Sequence, residues 1–287
     1  MNFKQTGRRT IYSVATWKRV LGIACLFFLI AAVIGVCMVG REETKRKENS
    51  ILITAHRGAS YGAPENTRAS VALALEEQAD CVEIDVRMTA DGIPVLLHDR
   101  ALFRTTGIVK EIDQVTYREV SLYNAGVRHG ERFAKETVPA LEDILREFGE
   151  KIRFNIELKE QRDGELVLAV VKLIEAYGLE EQCAVTSDAY EQLELIKELN
   201  GEIETGYILS RVYGEIYGYE AADFFSVKAE YITEQTVKGV HRKGKEIHAW
   251  TVNKSYEMER MKELGVDSII TDRPAYAKEI LEAGNIY

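Results

Sequence analysis

From residue 51 onward the chain switches repeatedly between two spacings of apolar positions. Val82, Ile84 and Val86 alternate with Glu83 and Asp85, and Phe154, Ile156 and Leu158 alternate with Asn155, Glu157 and Lys159. A period of two sends the apolar set to one face of a strand and the polar set to the other. The same reading predicts strands over 51–56, 81–88, 93–97, 152–159, 184–187, 204–209, 224–228, 247–252 and 268–271. Between them, apolar residues recur at helical spacing over 66–78, 140–148, 165–177, 190–199, 234–242, 256–264 and 275–283. Pro64 marks the start of the first helix, with Asn66 and Thr67 as its candidate caps. With 93–97 taken as an appendage of the second strand, eight strand–helix units remain. That count predicts an α/β fold, a closed TIM (β/α)8 barrel, over an open doubly wound sheet, and no glycine-rich dinucleotide fingerprint argues otherwise. Residues 100–138 break the rhythm and are expected to be a small insertion after the second strand.

The first fifty residues follow another pattern. The stretch 20–39, VLGIACLFFLIAAVIGVCMV, carries no charge over twenty residues, the length a helix needs to cross about 30 Å of hydrocarbon. We read a basic tail at 1–19, one transmembrane helix at 20–39, a polar linker at 40–50 and the barrel domain at 51–287. A cleaved signal or lipoprotein leader fits less well, because Ile34-Gly35-Val36-Cys37 puts Val36 where a small residue is wanted. Bases flank the run on both sides, so orientation rests on a narrow balance. The expectation is a single-pass membrane protein with a cytoplasmic N-terminus and an extracytoplasmic domain.

Charge narrows the partners. Residues 1–40 hold five bases and no acids, leaving 32 bases against 46 acids beyond them, a net of −14. Such a domain is a poor partner for nucleic acid. Of the four cysteines, Cys25 and Cys37 lie in the apolar run, and Cys81 and Cys183 open strands as small core residues. No disulfide or zinc framework is indicated.

Candidate chemistry concentrates between residues 56 and 99. Glu83 and Asp85 share a strand face and Glu157 shares one with Lys159, so the three acids can converge at the carboxyl ends of barrel strands. Oxygen-only ligation points to one Mg²⁺ or Ca²⁺ ion, whereas the plainer alternative pairs these acids with Arg57 or Lys159. His56 and His98 lie beside them, and a residue titrating near ~6.5 can give or take a proton at neutral pH, so a pair can do both. Arg57 is suited to two phosphate oxygens. Together these groups make a phosphodiester-cleaving set. His129 and His248 lack acidic company and are expected to be structural, and the partial P-loop pattern at 239–245 lacks its Ser/Thr and is taken as chance.

His56-Arg57-Gly58 with Pro64-Glu65-Asn66-Thr67, Glu83-Ile84-Asp85-Val86, Asp91-Gly92 and His98-Asp99 resembles the glycerophosphodiester phosphodiesterase family. So do Asn155-Ile156-Glu157-Leu158-Lys159, Trp250-Thr251-Val252-Asn253 and Thr271-Asp272-Arg273-Pro274. The resemblance implies a TIM barrel that hydrolyses glycerophosphodiesters to sn-glycerol 3-phosphate and an alcohol. It carries acid–base roles to His56 and His98, cation ligation to Glu83, Asp85 and Glu157, and substrate or phosphate contacts to Arg57, Lys159 and Trp250. Glu65, with Asn66, is given a supporting role that holds Arg57 or the metal shell. Two alternatives stay open: a lysophospholipase D-type or glycerophosphate-polymer hydrolase at the membrane, and a catalytically silent barrel that binds phosphorylated headgroups. The tyrosine-rich loop 207–220 can stack a headgroup through Tyr213, Tyr217 or Tyr219, although packing is the commoner use of such residues.

Overall fold

The structure is a computed structural model that describes residues 51–159, 164–212, 216 and 218–283. The apolar run 20–39, its flanks, Tyr213 and Tyr217 lie outside the described residues. Among the described residues no helix is long and apolar enough to cross a membrane.

Eight parallel strands close into a barrel. In chain order these are β1 (Leu52–His56), β2 (Cys81–Met88), β4 (Arg153–Leu158), β5 (Cys183–Ser187), β6 (Glu204–Leu209), β7 (Phe224–Lys228), β8 (Glu246–Trp250) and β9 (Ser268–Thr271). Each pairs in parallel with its neighbours, and β1 closes the ring by pairing with both β9 and β2. The additional strand β3 (Pro94–Leu96) runs antiparallel along the far end of β2, the appendage expected from the Asp91-Gly92 turn.

The alternation along each strand divides the molecule into two layers. Phe154, Ile156 and Leu158 of β4 are buried against the outer helices, as are Phe225 and Val227 of β7 and Ile247 and Ala249 of β8. The helices answer in kind. α1 (Arg68–Glu76) leads from β1, and α4 (Leu141–Phe148) buries Leu141, Ile144, Leu145 and Phe148, one stripe at helical spacing. α5 (Glu165–Tyr177) buries Leu166, Val167, Val170, Val171 and Ile174 before ending at Gly178. α6 (Tyr190–Leu199), α7 (Glu234–His241), α8 (Ser255–Leu264) and α9 (Pro274–Ala283) continue the ring. One of the eight units lacks its helix: the spacing predicts none over 210–223, and none among the described residues joins β6 to β7.

The barrel interior is polar where most barrels are packed with branched apolar side chains. Thr54 meets Ser268 at 3.0 Å and Thr186 donates to Asn155 at 2.8 Å. An aromatic plug lies in the same interior: the Phe224 ring stacks on His248 with centroids 4.2 Å apart. Gly206 makes room for it, because a Cβ there would sit 2.3 Å from that ring. His248 thus packs in the interior, and its Nε2 lies 3.1 Å from Glu246 Oε2, acidic company that the expectation had denied it.

The insertion is a small packed body. Val95, Leu97, Leu102, Ile112, Val115, Val120 and Val138 form their own apolar cluster. Around it wrap two short helices, α2 (Phe103–Thr106) and α3 (Tyr117–Val120), and three single 3₁₀ turns.

Candidate active site

Strand register stacks the acids in two layers. His56 is level with Glu83, and Glu83 with Asn155, while Asp85 is level with Glu157 one step further along the strands. One oxygen from each of Glu83, Asp85 and Glu157 lies within 4.8 Å of the other two. Glu83 was expected near the end of its strand but is the third of eight residues in β2. The difference arises because β2 runs on past the barrel rim to pair with β3.

Such crowding has electrostatic consequences. Glu83 and Asp85 are 3% and 1% exposed. Burial, reinforced by the Asp85 charge, pushes the Glu83 carboxyl up to about 8. Burial also raises Glu157, again with help from Asp85. For Asp85 burial works the same way, but Lys159 and Arg57 outweigh it and hold the carboxyl below its ordinary value. Lys159 Nζ lies 3.1 Å from Asp85 Oδ1 and pairs with Glu157, and Arg57 Nε lies 3.2 Å from Asp85 Oδ2. The plainer pairing is therefore present for Asp85 and Glu157. It does not complete the group: Glu83 Oε1 is buried without a hydrogen bond, and Asp85 Oδ1 has the Lys159 ammonium beside it but no hydrogen bond of good geometry. Three converging acidic oxygen donors, with Glu83 Oε1 buried and unsatisfied among them, form a group that can hold a divalent cation of the oxygen-seeking kind.

Both histidines are held in the same manner. His56 Nδ1 donates to Asp272 Oδ1 at 2.6 Å, and Asp272 is itself held by Ser60 Oγ at 3.1 Å and Asn253 Nδ2 at 2.6 Å. Burial works against charge on His56, but the Asp272 hydrogen bond and the Glu83 charge prevail and raise its pKa. His98 Nδ1 donates to Asp99 Oδ1 at 2.7 Å. There burial prevails over the pull of Asp85 and lowers the pKa. In each ring the carboxylate occupies Nδ1, so Nε2 is the nitrogen left for chemistry.

The loop between β1 and α1 joins these parts. Arg57 adopts φ +57, which turns its main-chain N–H onto Glu83 Oε2 at 2.7 Å while its guanidinium reaches Asp85 and, at 2.9 Å, Glu65. Gly58 at φ +78 completes the turn, and a Cβ there would strike Ser70 of α1 at 2.4 Å. Asn66 is not a helix cap: Thr67 takes that place with Ser70. At φ +54 Asn66 instead clamps Asp85, accepting from its main-chain N–H at 3.0 Å and donating to Oδ2 at 2.8 Å. Of the two expected caps Thr67 is therefore the one that caps, because αL geometry, which Asn tolerates, points the Asn66 side chain back at the strand.

A cavity of about 190 Å³ gathers His56, Arg57, Glu83, His98, Glu157, Lys159 and Trp250 on its wall. Every candidate except Asp85, Glu65 and Asn66 faces it, and those three stand behind. Trp250 is fixed by its Nε1 donating to Ser226 O at 3.0 Å. Tyr219 packs against Tyr207 and Tyr190, with centroids 4.7 and 4.9 Å away. His129 lines a second, more open cleft with Ser60, Tyr61 and Glu65, which also borders His56. The sequence gives no role to Asp99, Asp272, Asn253 or Arg104, although Asp99, Asn253 and Asp272 stand in the blocks quoted above.

Comparison with known proteins agrees with this geometry. The model of the glycerophosphoryl diester phosphodiesterase family matches residues 56–276. A glycerophosphodiester phosphodiesterase of Caldanaerobacter subterraneus subsp. tengcongensis is 32% identical over 245 residues, covering 81% of this chain and 98% of the relative. A phosphodiesterase of Oleispira antarctica, solved with the product sn-glycerol-3-phosphate, superposes with a TM-score of 0.75 at 28% identity, covering 80% of this chain and 96% of that one. The fold of a Silicibacter pomeroyi protein matches with a TM-score of 0.76 at 24% identity, over 83% of this chain and 95% of that one. With a family model spanning most of the barrel, close-length relatives and a matching fold, this chain belongs to the glycerophosphoryl diester phosphodiesterase family and is a phosphodiester hydrolase.

Proposed function

We propose that the barrel hydrolyses glycerophosphodiesters to sn-glycerol 3-phosphate and an alcohol, using His56 and His98 for proton transfer and a divalent cation held by Glu83, Asp85 and Glu157. The observation that carries this reading is the shared wall: two imidazoles, each anchored through Nδ1 by a carboxylate, face one cavity with Arg57, Lys159 and two of the three acids. Arg57 and Lys159 offset the negative charge of the phosphodiester and hold it against the imidazoles. One imidazole takes the proton of the attacking oxygen, which is water or the substrate's own glycerol hydroxyl, and the other gives a proton to the departing alkoxide; where the glycerol hydroxyl attacks, water then opens the cyclic phosphate, so one water is consumed for each alcohol released. Mg²⁺ or Ca²⁺ bound by the three acids would polarise the phosphoryl oxygen and neutralise charge there. Trp250 offers an apolar wall to the glycerol carbons. In this reading the run 20–39 anchors the chain in a membrane with the barrel outside the cytoplasm, which is also what favours a second substrate class, lysophospholipid or a glycerophosphate polymer at the membrane surface.

The test is release of sn-glycerol 3-phosphate from glycerophosphocholine. Activity is expected to disappear with a chelator, to return with Mg²⁺ or Ca²⁺, and to vanish in His56→Ala. Turnover that survives both treatments would refute the reading. Assaying glycerophosphocholine beside bilayer-embedded lysophosphatidylcholine separates the two substrate classes.

A further inference from the structure

We infer that Arg104, in the insertion, is a positioning residue that sets the second histidine and the site arginine against each other. Its Nε donates to Asp99 Oδ2, whose other oxygen holds His98 Nδ1 at 2.7 Å. Its Nη1 and Nη2 donate to the two oxygens of Glu65 at 2.5 and 2.8 Å, and Glu65 Oε1 in turn holds Arg57 Nη1 at 2.9 Å. One planar guanidinium thus spans two carboxylates, each of which already orients a residue on the cavity wall. The chain His98–Asp99–Arg104–Glu65–Arg57 ends on Asp85, where Arg57 Nε approaches to 3.2 Å.

An ordinary surface ion pair would not be built this way. The Arg104 side chain is 42% exposed, so as a simple pair it would contribute little to stability. Its partners are more covered, Glu65 at 20% and Asp99 at 34%. The arginine also starts from fixed ground: Leu102, two residues earlier, is fully buried in the insertion's apolar cluster, and Thr106 Oγ1 ties the short helix back to Leu102 O at 2.8 Å. The packed insertion therefore serves as a footing from which Arg104 braces the site. Lysine cannot replace it, since an ammonium has no flat fork to serve two carboxylates in fixed directions.

The inference rests on the reading in which His98 and Arg57 act on the substrate. Its test uses the full chain and compares kcat, KM and the thermal midpoint for Arg104→Ala, Arg104→Lys and Arg100→Ala on glycerophosphocholine. Arg100 supplies the control because it pairs with Glu111 and Asp113 within the insertion. A displacement of about 1 Å at reacting groups costs on the order of a hundredfold, so both Arg104 variants should lose roughly ten- to a hundredfold in kcat, with KM moving less. The thermal midpoint should stay near that of the parent, and Arg100→Ala should keep its kcat. Added methylguanidine should recover part of the rate in Arg104→Ala but leave Arg104→Lys unchanged. Unchanged kcat in the Arg104 variants, or a loss that follows the thermal midpoint and resists methylguanidine, would overturn the inference while leaving the proposed activity in place. A parent chain that releases no sn-glycerol 3-phosphate would instead defeat the proposed activity, and with it the role given to Arg104.

Discussion

In the proposed reading Glu83 would join protonation, cation binding and stability in one side chain. Its carboxyl is raised from 4.5 to about 8, first by burial and then by Asp85. Without a cation, the folded chain keeps this proton between those two values while the unfolded chain releases it. The folded state then binds more protons, so stability is fully present below 4.5 and is lost as pH rises through about 8. His56 acts in the same direction, because its folded pKa is also raised above the ordinary 6.5. In chelator, the thermal midpoint should therefore fall between about pH 5 and about pH 8. A divalent cation, which needs the ionised carboxylate, should raise the midpoint more at the upper pH than at the lower. Equal gains at the two pH values would show that Glu83 is not a ligand. The histidines can be tested by rate. Removing a positioned general acid or base typically costs about 10²–10⁴-fold, and His98→Ala should lose kcat in that range with its circular dichroism unchanged.

At the level of elements, the loop between β1 and α1 carries more of the site than any strand, and it does so through backbone geometry. Asn66→Ala would remove two hydrogen bonds to buried Asp85 and place a Cβ-bearing residue without αL aptitude at φ +54. At about 1 kcal/mol per lost bond and about 1–2 for the left-handed backbone, urea unfolding should show a loss of roughly 3 kcal/mol. Asn66→Gly keeps the backbone easy and loses only the bonds, so it should cost less; equal losses for Ala and Gly would mean that the backbone term is negligible. This loop also marks where sequence reading stops. Glu83, Asp85 and Glu157 were legible because a strand's period of two is local, and it places them on one face without knowledge of any partner. The partner of a histidine is not local. Asp272 reaches His56 only because β9 closes the barrel against β1, across 216 residues of sequence. Arg104 was hidden for a further reason, since its segment has no helical or strand period from which a direction could be read. The helix expected from 66 begins at Arg68, because Asn66 is drawn to Asp85 and Thr67 does the capping.

For the whole molecule, the question is what the first fifty residues add to a barrel that has its own core. Residues 51–287 form a compact unit, and every residue assigned to the site lies within it. The outer helices and strands already bury a continuous apolar layer, and a domain of this size buries about three-quarters of the surface its unfolded chain would expose. A chain beginning at Ser50 should therefore fold alone, remain in the supernatant after high-speed centrifugation, and hydrolyse glycerophosphocholine with the kcat of the full chain. The full chain should sediment with membranes and leave them only in detergent, because twenty uncharged residues match the hydrocarbon thickness. For substrates already in the bilayer the two forms should diverge. Anchoring confines enzyme and lipid to one surface, so lysophosphatidylcholine in vesicles should be cleaved faster by the full chain, whereas a soluble diester gains nothing from that confinement. A full chain found in the soluble fraction would remove the anchor from this picture. Equal rates of the two forms on vesicles would leave the anchor as a device for location alone, with the soluble diester as the substrate the cavity serves.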